Sequence, residues 1–418
     1  FVNGDLIGNH SNPKKFVENF KKKRMDLNDK HIHWSFSISW IIRDSEIRIL
    51  TTSGRMMRPL KLRKTKNLKN IELLGCEPEK LVEKGCEYID PSEADTILIG
   101  YEEELKASHY EIVKTASLGL TALTLPFIEH NPIARNLYAT QQSRAAVSVY
   151  ASNFKSRMDQ KASLLHYGQC PLVHTGVVEK LNENKAPYGI NIIVAIAACS
   201  GYNQEDAIII NKSAIENGLF CSSYYTTHSL REETSSQKMR NGNVGNINIV
   251  NPKMASKEII KMNSNWDYSL LDNNGIIRPN VPINENTVLI GAYMIDAQGN
   301  WIDNSVIAKN VHEGEIVERV HLSKTYPRIA KVLTREVRFP IVGDKFASRA
   351  AQKAVLGIIV PKENMPYTKE GIVPDIIFNP HSFPSRMTIA YFLEMLTGNI
   401  GLISGKLVEV PNFNGSSY

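Results

Sequence analysis

The sequence has little cysteine. Cys76, Cys86, Cys170, Cys199 and Cys221 are its five thiols in 418 residues, odd in number and scattered, with no C-x-x-C. That pattern excludes a disulfide scaffold, argues against a zinc site and makes a reducing intracellular setting the expectation. Long apolar runs are missing too. The best stretches, 192–198 and 208–210, are of strand length, so no membrane-spanning helix is expected. The eleven histidines form no H-E-x-x-H, and there is neither a P-loop nor a G-x-G-x-x-G. No internal repeat is present. A surplus of one charge sign is nearly absent: 49 Lys+Arg against 43 Asp+Glu leave +6. So mild a balance permits a nucleic-acid partner without demanding one, because a local basic stripe matters more than the sum. At 42% hydrophobic and 22% charged residues the chain is not disordered, and its length predicts two to four domains. It opens on Phe1-Val2-Asn3-Gly4-Asp5-Leu6, a strand running into a turn, with no charged-then-apolar leader. A piece of a longer polypeptide is the expectation.

Local signals divide what is there. Asn3-Gly4 between short apolar pairs marks a hairpin. Ser11-Asn12-Pro13 offers an N-cap with proline at the first helical position. Phe16 and Phe20 share a face of that helix, and Lys14, Lys15, Lys21, Lys22, Lys23 and Arg24 surround them. A solvated helix face is the favoured reading of this run over a nucleic-acid patch. Ile47 and Ile49 alternate with Glu46 and Arg48, as in a half-buried strand. Lys61, Arg63, Lys64, Lys66 and Lys69 read as a linker. A short helix is expected at 79–84 and a strand at 96–99. Residues 135–167 read as mostly helical and 186–220 as β-rich. Residues 221–325, polar with short strands such as 288–290, read as an inserted β-rich lobe. Arg328, Lys331, Arg335 and Arg338 then line an extended segment. Residues 388–397 read as an amphipathic helix with Ile389, Phe392, Leu393 and Leu396 on its apolar face.

Four segments are unlike generic core or loop: 130–138 (His130 to Tyr138), 201–213 (Gly201 to Ser213), 343–353 (Gly343 to Lys353) and 374–387 (Pro374 to Met387). Lys345 and Lys353 are eight apart. If the stretch between them is helical, both ammonium groups share one side, as suits a polyanion; two surface lysines is the equal alternative. Glu205-Asp206 precedes a very apolar strand. Carboxylates so placed can ligate Mg²⁺ with phosphate oxygens and waters, although an Asp-capped turn is the commoner meaning. Arg135 and Arg386 are candidate phosphate clamps, and His381 is more often structural than catalytic in such a setting. Each signal alone is weak. Together they point to phosphates, a hard metal and nucleic acid, with little sign of a nucleophile.

Longer strings carry a resemblance. Gly201-Tyr202-Asn203-Gln204-Glu205-Asp206-Ala207 with Asn211 and Ser213, Gly343-Asp344-Lys345-Phe346-Ala347-Ser348-Arg349, Asn364-Met365-Pro366-Tyr367-Thr368 and Pro374-Asp375-Ile376-Ile377 with Asn379-Pro380-His381 resemble the second-largest (β-type) subunit of multisubunit DNA-dependent RNA polymerases, in that family's order. Phe1-Val2-Asn3-Gly4 with Gly54-Arg55 and Arg58-Pro59-Leu60 resembles the first external domain of its eukaryotic, archaeal and large-DNA-virus branch. The resemblance implies a multidomain α+β, β-rich fold. Its parts would be external domains at 1–62 and 63–120, a hybrid-binding region with a double-psi β-barrel core at 121–220 and 336–418, and an inserted wall (flap) at 221–335. It implies DNA-directed RNA synthesis by two Mg²⁺ ions, active only with the largest subunit, whose aspartate triad holds the tight ion. Smaller assembly subunits, template DNA, the RNA–DNA hybrid and NTPs are the other implied partners, without a membrane. The setting would be the nucleus, or the cytoplasm for a viral or cytoplasmic-element enzyme. By the same resemblance Glu205 and Asp206 flank the second, NTP-carried metal, Lys345 and Lys353 contact phosphates at the RNA 3′ end and the nucleotide, and Arg135 and Arg386 hold the NTP phosphates. Tyr138, Arg144, Arg349 and Gln352 would contact nucleic acid.

The chain also departs from the family's pattern. Asn131-Pro132-Ile133-Ala134-Arg135-Asn136 stands where the family has Asn-Gln-Ser-Pro-Arg-Asn, Ala145 replaces a glutamine and Arg144 the lysine before it. The family's His-Gly after Ser-Arg is Ala350-Ala351, and a Gly after the second lysine is Ala354. The Ala145 change bears on RNA-end contacts and leaves the phosphate clamp intact. Two alternatives stay open: a non-catalytic nucleic-acid-binding scaffold of the same fold, and an enzyme that copies RNA templates.

Overall fold

The structure, a computed structural model, describes residues 1–63, 76–101, 106–112, 118–181, 185–232, 246–256, 258–295 and 299–413. It mixes helix and strand, is β-rich and divides into two compact units, Phe1–Leu123 with Asn412–Tyr418, and Thr124–Pro411. Among the described residues no helix is long and apolar enough to cross a membrane.

In the first unit the hairpin forms where the sequence places it. Asn3 and Gly4 take φ of 50° and 98°, as a two-residue turn of this hand requires, and Val2 bridges Asp5. Helix α1 (Pro13–Arg24) starts as read, the Asn12 side chain accepting the Lys15 N–H at 3.1 Å. Strands β1 (Ser37–Ile41) and β2 (Glu46–Leu50) pair antiparallel. Strand β3 (Arg58–Leu62) lies between β4 (Cys86–Ile89) and β6 (His109–Glu111), with β5 (Ile99–Gly100) beyond β6. Short helices α2 (Pro78–Glu83), α3 (Pro91–Ala94) and α4 (Leu120–Leu123) complete the unit. Strand β3, which ends the expected 1–62 part, pairs with β4 and β6 of the expected 63–120 part. Of the basic linker, Lys64, Lys66 and Lys69 lie outside the described residues, whereas Lys61 is buried within β3.

Arg24 corrects the solvated-face reading of α1. It lies one turn beyond Phe20 on the same face, and both are buried. Its guanidinium donates to Glu87, to both Glu93 oxygens at 2.7 and 3.0 Å, and to the Phe36 carbonyl at 2.9 Å. Glu87 also bonds His109 Nε2 at 2.7 Å, and Lys21 pairs with Glu93 at 2.9 Å. Burial pushes the Glu87 carboxyl up, but the His109 bond and the Arg24 charge outweigh it and hold it at about 2. One buried cation thus ties α1 to β4, α3 and the segment before β1.

Among the described residues the second unit holds two larger sheets, a two-stranded one and a lobe. Strands β7 (Lys161–Leu165), β11 (Ser222–Arg231), β17 (Ile316–Leu322) and β18 (Ile329–Arg338) form one antiparallel sheet in the order β17-β18-β11-β7. β11 and β18 pair from Ser222 opposite Arg338 to Arg231 opposite Ile329, so the chain leaves and returns through one ladder. The lobe lies between them: β12 (Asn246–Ile249), β14 (Ala292–Ile295) and β15 (Trp301–Asp303) in one sheet, β13 (Val288–Ile290) with β16 (Val306–Ile307) in another. Ile249, Ile277, Val288, Leu289 and Ile290 build its core with Val317 and Val332 of the ladder. The inserted β-rich lobe is therefore present. The expected long helix over 135–167 is shorter: α5 (Ile133–Arg144) ends at Arg144, and 161–165 become β7 because they pair with β11. Tertiary pairing overrides composition there.

The other sheet runs β19 (Lys345–Phe346), β20 (Ala354–Val360), β10 (Ala207–Asn211), β21 (Ile376–Phe378), β9 (Val194–Ile196). β10 is parallel to β20 and antiparallel to β21. Ile208 and Ile210 pack on one face of it and Ile209 on the other. A strand covered on both sides reads as a continuous apolar run, which is why 208–210 does not alternate. Helix α6 (Gly176–Lys180), α7 (Lys212–Glu216), α8 (Ser382–Arg386) and α9 (Ile389–Ser404) complete the unit, with β8 (Val173–His174) parallel to β22 (Val408–Glu409). α9 meets the sequence expectation only at Leu393, which packs against Phe127, Val173, Ala390 and Val410, while Phe392 is exposed like Ile389 and Leu396. Its buried residues are Ala390, Tyr391, Gly398 and Gly401, while Ile389, Leu396, Ile400 and Ile403 are exposed. Small residues are needed on the inner side: a Cβ on Gly401 would stand 3.0 Å from the Lys406 carbonyl.

The network around Arg24 makes a prediction. Removing one partner of a buried ionic cluster leaves uncompensated charge and costs about 3–5 kcal/mol. Arg24→Met is expected to strip hydrogen-exchange protection from β1 and β4 by that amount while β10 keeps its own. Because folded Glu87 sits below its ordinary 4.5, its contribution is full above about pH 4.5 and is lost as pH falls towards 2. Protection in β4, corrected for intrinsic exchange, that stays constant from pH 5 to 3 would contradict this account.

Candidate functional site

The site is built on three strand ends. Ala207 of β10 registers with Val355 of β20, and Val355 with Lys345 of β19. The Val355 N–H donates to the Asp206 carbonyl at 2.8 Å. Glu205 and Asp206 therefore stand where β10 begins, beside the start of β20. Phe346 and Ala354 face the core with Ile208 and Leu356, so Lys345 faces the other way. Lys353, one residue before the buried Ala354, is exposed, as Lys345 is. The expected helix between the two lysines is a correction: the segment is strand, loop and strand, and cross-strand pairing gathers the lysines at one sheet end.

Backbone conformation aims these groups. Glu205 and Asp206 take φ of 49° and 67°, following Ser200 and Gly201 at 50° and 73°. Two consecutive non-glycine residues in the left-handed region are costly and persist only where the surroundings impose them. Asn203 does this from inside. It is buried, donates to the Ala197 carbonyl at 2.7 Å and accepts the Cys199 N–H at 3.3 Å. Gly357 does it from β20, since a Cβ there would meet the Tyr202 carbonyl at 2.8 Å. The loop can lie this close only over a glycine.

Arg386, the last residue of α8, closes the site. Its Nη2 donates to both Asp206 oxygens across 180 positions of sequence, and its Nη1 donates to Gln352 Oε1 at 3.1 Å. A candidate metal ligand and a candidate phosphate clamp are thus an ion pair. Glu205 is exposed. Among the described residues no three His, Cys, Asp or Glu side chains converge as a metal cage. Glu205 and Asp206 are two carboxylates, fewer donors than a hard divalent cation takes, so their side chains alone form no cation site.

The remaining predicted residues separate into two groups. Arg135 and Tyr138 lie on α5, the guanidinium carbon 5.7 Å from the ring centroid, with Tyr138 and Arg144 exposed. Asn131, just before α5, accepts the Ala390 N–H at 3.1 Å and so ties this helix to the start of α9. No hydrogen bond or ion pair among the described residues joins Arg135 to Asp206 or Arg386. Two expected nucleic-acid contacts, Gln352 and Arg349, make hydrogen bonds within the chain. Gln352 is 0% exposed. Arg349 gives its guanidinium to Glu394 at 2.6 and 3.1 Å and to the Val173 carbonyl at 2.6 Å. His381 bonds Asn379 at 3.0 Å beside its own turn, as a structural histidine does. Thr388 and Glu394, which hold Gln352 and Arg349, escaped the sequence reading because nothing in their spacing links residues 36 and 45 positions apart.

Ala351 is buried with φ of 60°. A left-handed alanine costs roughly 1 kcal/mol. Ala351→Gly is expected to raise the stability of the second unit by about 0.5–1 kcal/mol in chemical denaturation. A loss of stability would show that this backbone carries no such strain.

Comparison with known proteins adds a separate line. The family described as RNA polymerase Rpb2, domain 6 matches residues 121–418, and that described as RNA polymerase Rpb2, domain 4 matches residues 1–63. DNA-directed RNA polymerase II subunit RPB2 of Encephalitozoon cuniculi is 36% identical over 447 residues, covering 99% of this chain and 38% of that protein. DNA-directed RNA polymerase subunit Rpo2 of Sulfolobus acidocaldarius is 34% identical, with 99% and 38% covered. DNA-directed RNA polymerase II subunit 2 of Arabidopsis thaliana is 34% identical, with 99% and 37% covered. The chain therefore spans a little over a third of the length of these relatives.

Proposed function

This chain belongs to the Rpb2 family of second-largest RNA polymerase subunits, and from that premise we propose that it supplies part of the nucleotide-addition site of a DNA-directed RNA polymerase. The observation that carries the reading is the convergence of Asp206, Arg386, Lys345 and Lys353 on one end of the sheet β19-β20-β10, from segments far apart in sequence. Two exposed ammonium groups beside a fixed guanidinium suit a triphosphate and the phosphate backbone at an RNA 3′ end. Arg135 adds a further cation from α5. In phosphoryl-type transfer, positioning and charge stabilisation do most of the work, which accounts for a site without a nucleophile of its own.

Mg²⁺, when bound, neutralises the attacking and leaving oxygens. Glu205 and Asp206 would offer it oxygens, and the largest subunit would supply the rest of its shell. Within the chain Asp206 holds Arg386, keeping the guanidinium near the place where phosphate oxygens would replace the carboxylate. Exposed Tyr138 and Arg144 would contact nucleic acid by stacking and by charge, so affinity there is sequence-independent and salt-sensitive. The sheet β19-β20-β10-β21-β9 serves as the double-psi β-barrel part of the hybrid-binding region, the lobe within 221–335 as the wall, and residues 1–62 and 63–120 as the external domains. Template DNA, the RNA–DNA hybrid, NTPs, the largest subunit and smaller assembly subunits are the partners, in the nucleus where the cell has one.

A charge-conserving substitution tests this. Lys353→Arg in the reconstituted polymerase is expected to slow nucleotide addition about ten-fold while co-purification with the largest subunit is unchanged, because a guanidinium cannot reproduce the compact ammonium. Elongation at the original rate would remove Lys353 from the site.

A further inference from the structure

We infer that Gln352 is a positioning residue that sets the orientation of Arg386, an inference that rests on Arg386 being a phosphate contact. Gln352 is 0% exposed, so it touches neither nucleotide nor nucleic acid itself. Its Oε1 accepts Arg386 Nη1 at 3.1 Å, and its Nε2 donates to Thr388 Oγ1 and, at 3.4 Å, to the Ser382 carbonyl. These partners fix the amide. A guanidinium only donates and must face the oxygen; a backbone carbonyl only accepts and must face the nitrogen. A flipped amide would set N–H against N–H and leave the Ser382 carbonyl facing an oxygen. The carbonyl belongs to the first residue of α8, the guanidinium to its last, and Thr388 to the link between α8 and α9. Gln352 therefore holds the guanidinium against the helix that carries it.

The backbone delivers this group with purpose. Ala351, at φ of 60°, turns the chain so that Gln352 points inward while the next residue, Lys353, is exposed. The Gln352 chain neighbours Ala350, Ala351 and Ala354 are small and buried as well. Of the two groups that hold Arg386, Asp206 orients it but also cancels its charge. Gln352 is neutral, so it keeps the guanidinium in place without weakening its attraction for phosphate. It is the anchor that survives when Asp206 gives way to a ligand.

A double-mutant cycle in the assembled polymerase tests the inference, with single-nucleotide addition of GTP to a pre-formed RNA–DNA scaffold as the readout. Arg386→Ala is expected to raise the KM for GTP. Gln352→Met, similar in length but unable to hydrogen bond, is expected to raise it about ten-fold in the parent background and to add nothing in the Arg386→Ala background. An equal penalty in both backgrounds means that Gln352 serves the fold alone and overturns the inference. No penalty in the parent background overturns it too. If Arg386→Ala leaves the KM unchanged, the phosphate role of Arg386 fails instead, a separate result. Should Gln352→Met not assemble, Gln352→Asn enters the same cycle. It keeps a neutral amide but withdraws it from Arg386, and the same non-additivity is expected.

Discussion

Everything at the candidate site hangs from the parallel pairing of β10 with β20. Ile208 and Ile210 bury one face of β10, and Ile209 the other. A strand fixed on both faces cannot slip its register without exposing isoleucine. That rigidity holds the carboxylates of Glu205 and Asp206 at the start of one strand beside Lys353 at the start of the other. The register shift between Ile208 and Ile209, opposite Gly357, lets the loop 201–206 fold down over β20. Burial of apolar side chains thus sets where the charges stand, and no charge–charge attraction is needed to assemble the strands.

The same separation of labour recurs in both units. In the first, a fully buried arginine with two glutamates joins α1 to β4 and α3. Such a cluster specifies one geometry more than it adds stability, since replacing all its members by apolar groups is often neutral. In the second, Glu232 and Arg328 pair where the lobe begins and ends, and Glu232 also accepts the Ile249 N–H at 3.0 Å. There an ion pair fastens the foot of a lobe whose interior is aliphatic. Buried charge is used at junctions, where direction matters, and apolar packing fills the interiors.

Sequence alone reached some of this and missed the rest for identifiable reasons. Turns and caps were legible because they depend on neighbours: Asn3-Gly4 and Asn12-Pro13 did what their chemistry dictates. The apolar run 208–210 was legible as a strand, and the polar stretch after 221 as a lobe. Arg24 was not, because a basic run looks solvated until the partners 63 and 69 positions away are known. The face of α9 was misread in part: of the expected Ile389, Phe392, Leu393 and Leu396 only Leu393 packs inward, and the buried residues beside it, Ala390, Gly398 and Gly401, are small. At the site, the residue types were legible and their partnerships were not. Gln352 and Arg349 carry polar groups suited to nucleic acid, and only the fold shows them turned inward.

The mild net charge of +6 can now be read in terms of positions. Several arginines that composition counts as free cations are neutralised by carboxylates: Arg24 by Glu87 and Glu93, Arg58 by Glu111, Arg328 by Glu232, Arg349 by Glu394. Arg386 is neutralised as well, but by a partner that is itself 45% exposed and adjacent to a second, exposed carboxylate. An exposed pair is weakly held compared with a buried one, because water screens it and competes for both members. The Arg24 pair is permanent on this argument, and the Arg386–Asp206 pair is exchangeable. A dianionic phosphate offers the guanidinium more charge than Asp206 does, and a divalent cation offers Asp206 more than Arg386 does. Under the proposed function a metal-bound triphosphate would satisfy both at once, and the exposed pair is the one suited to being opened by it.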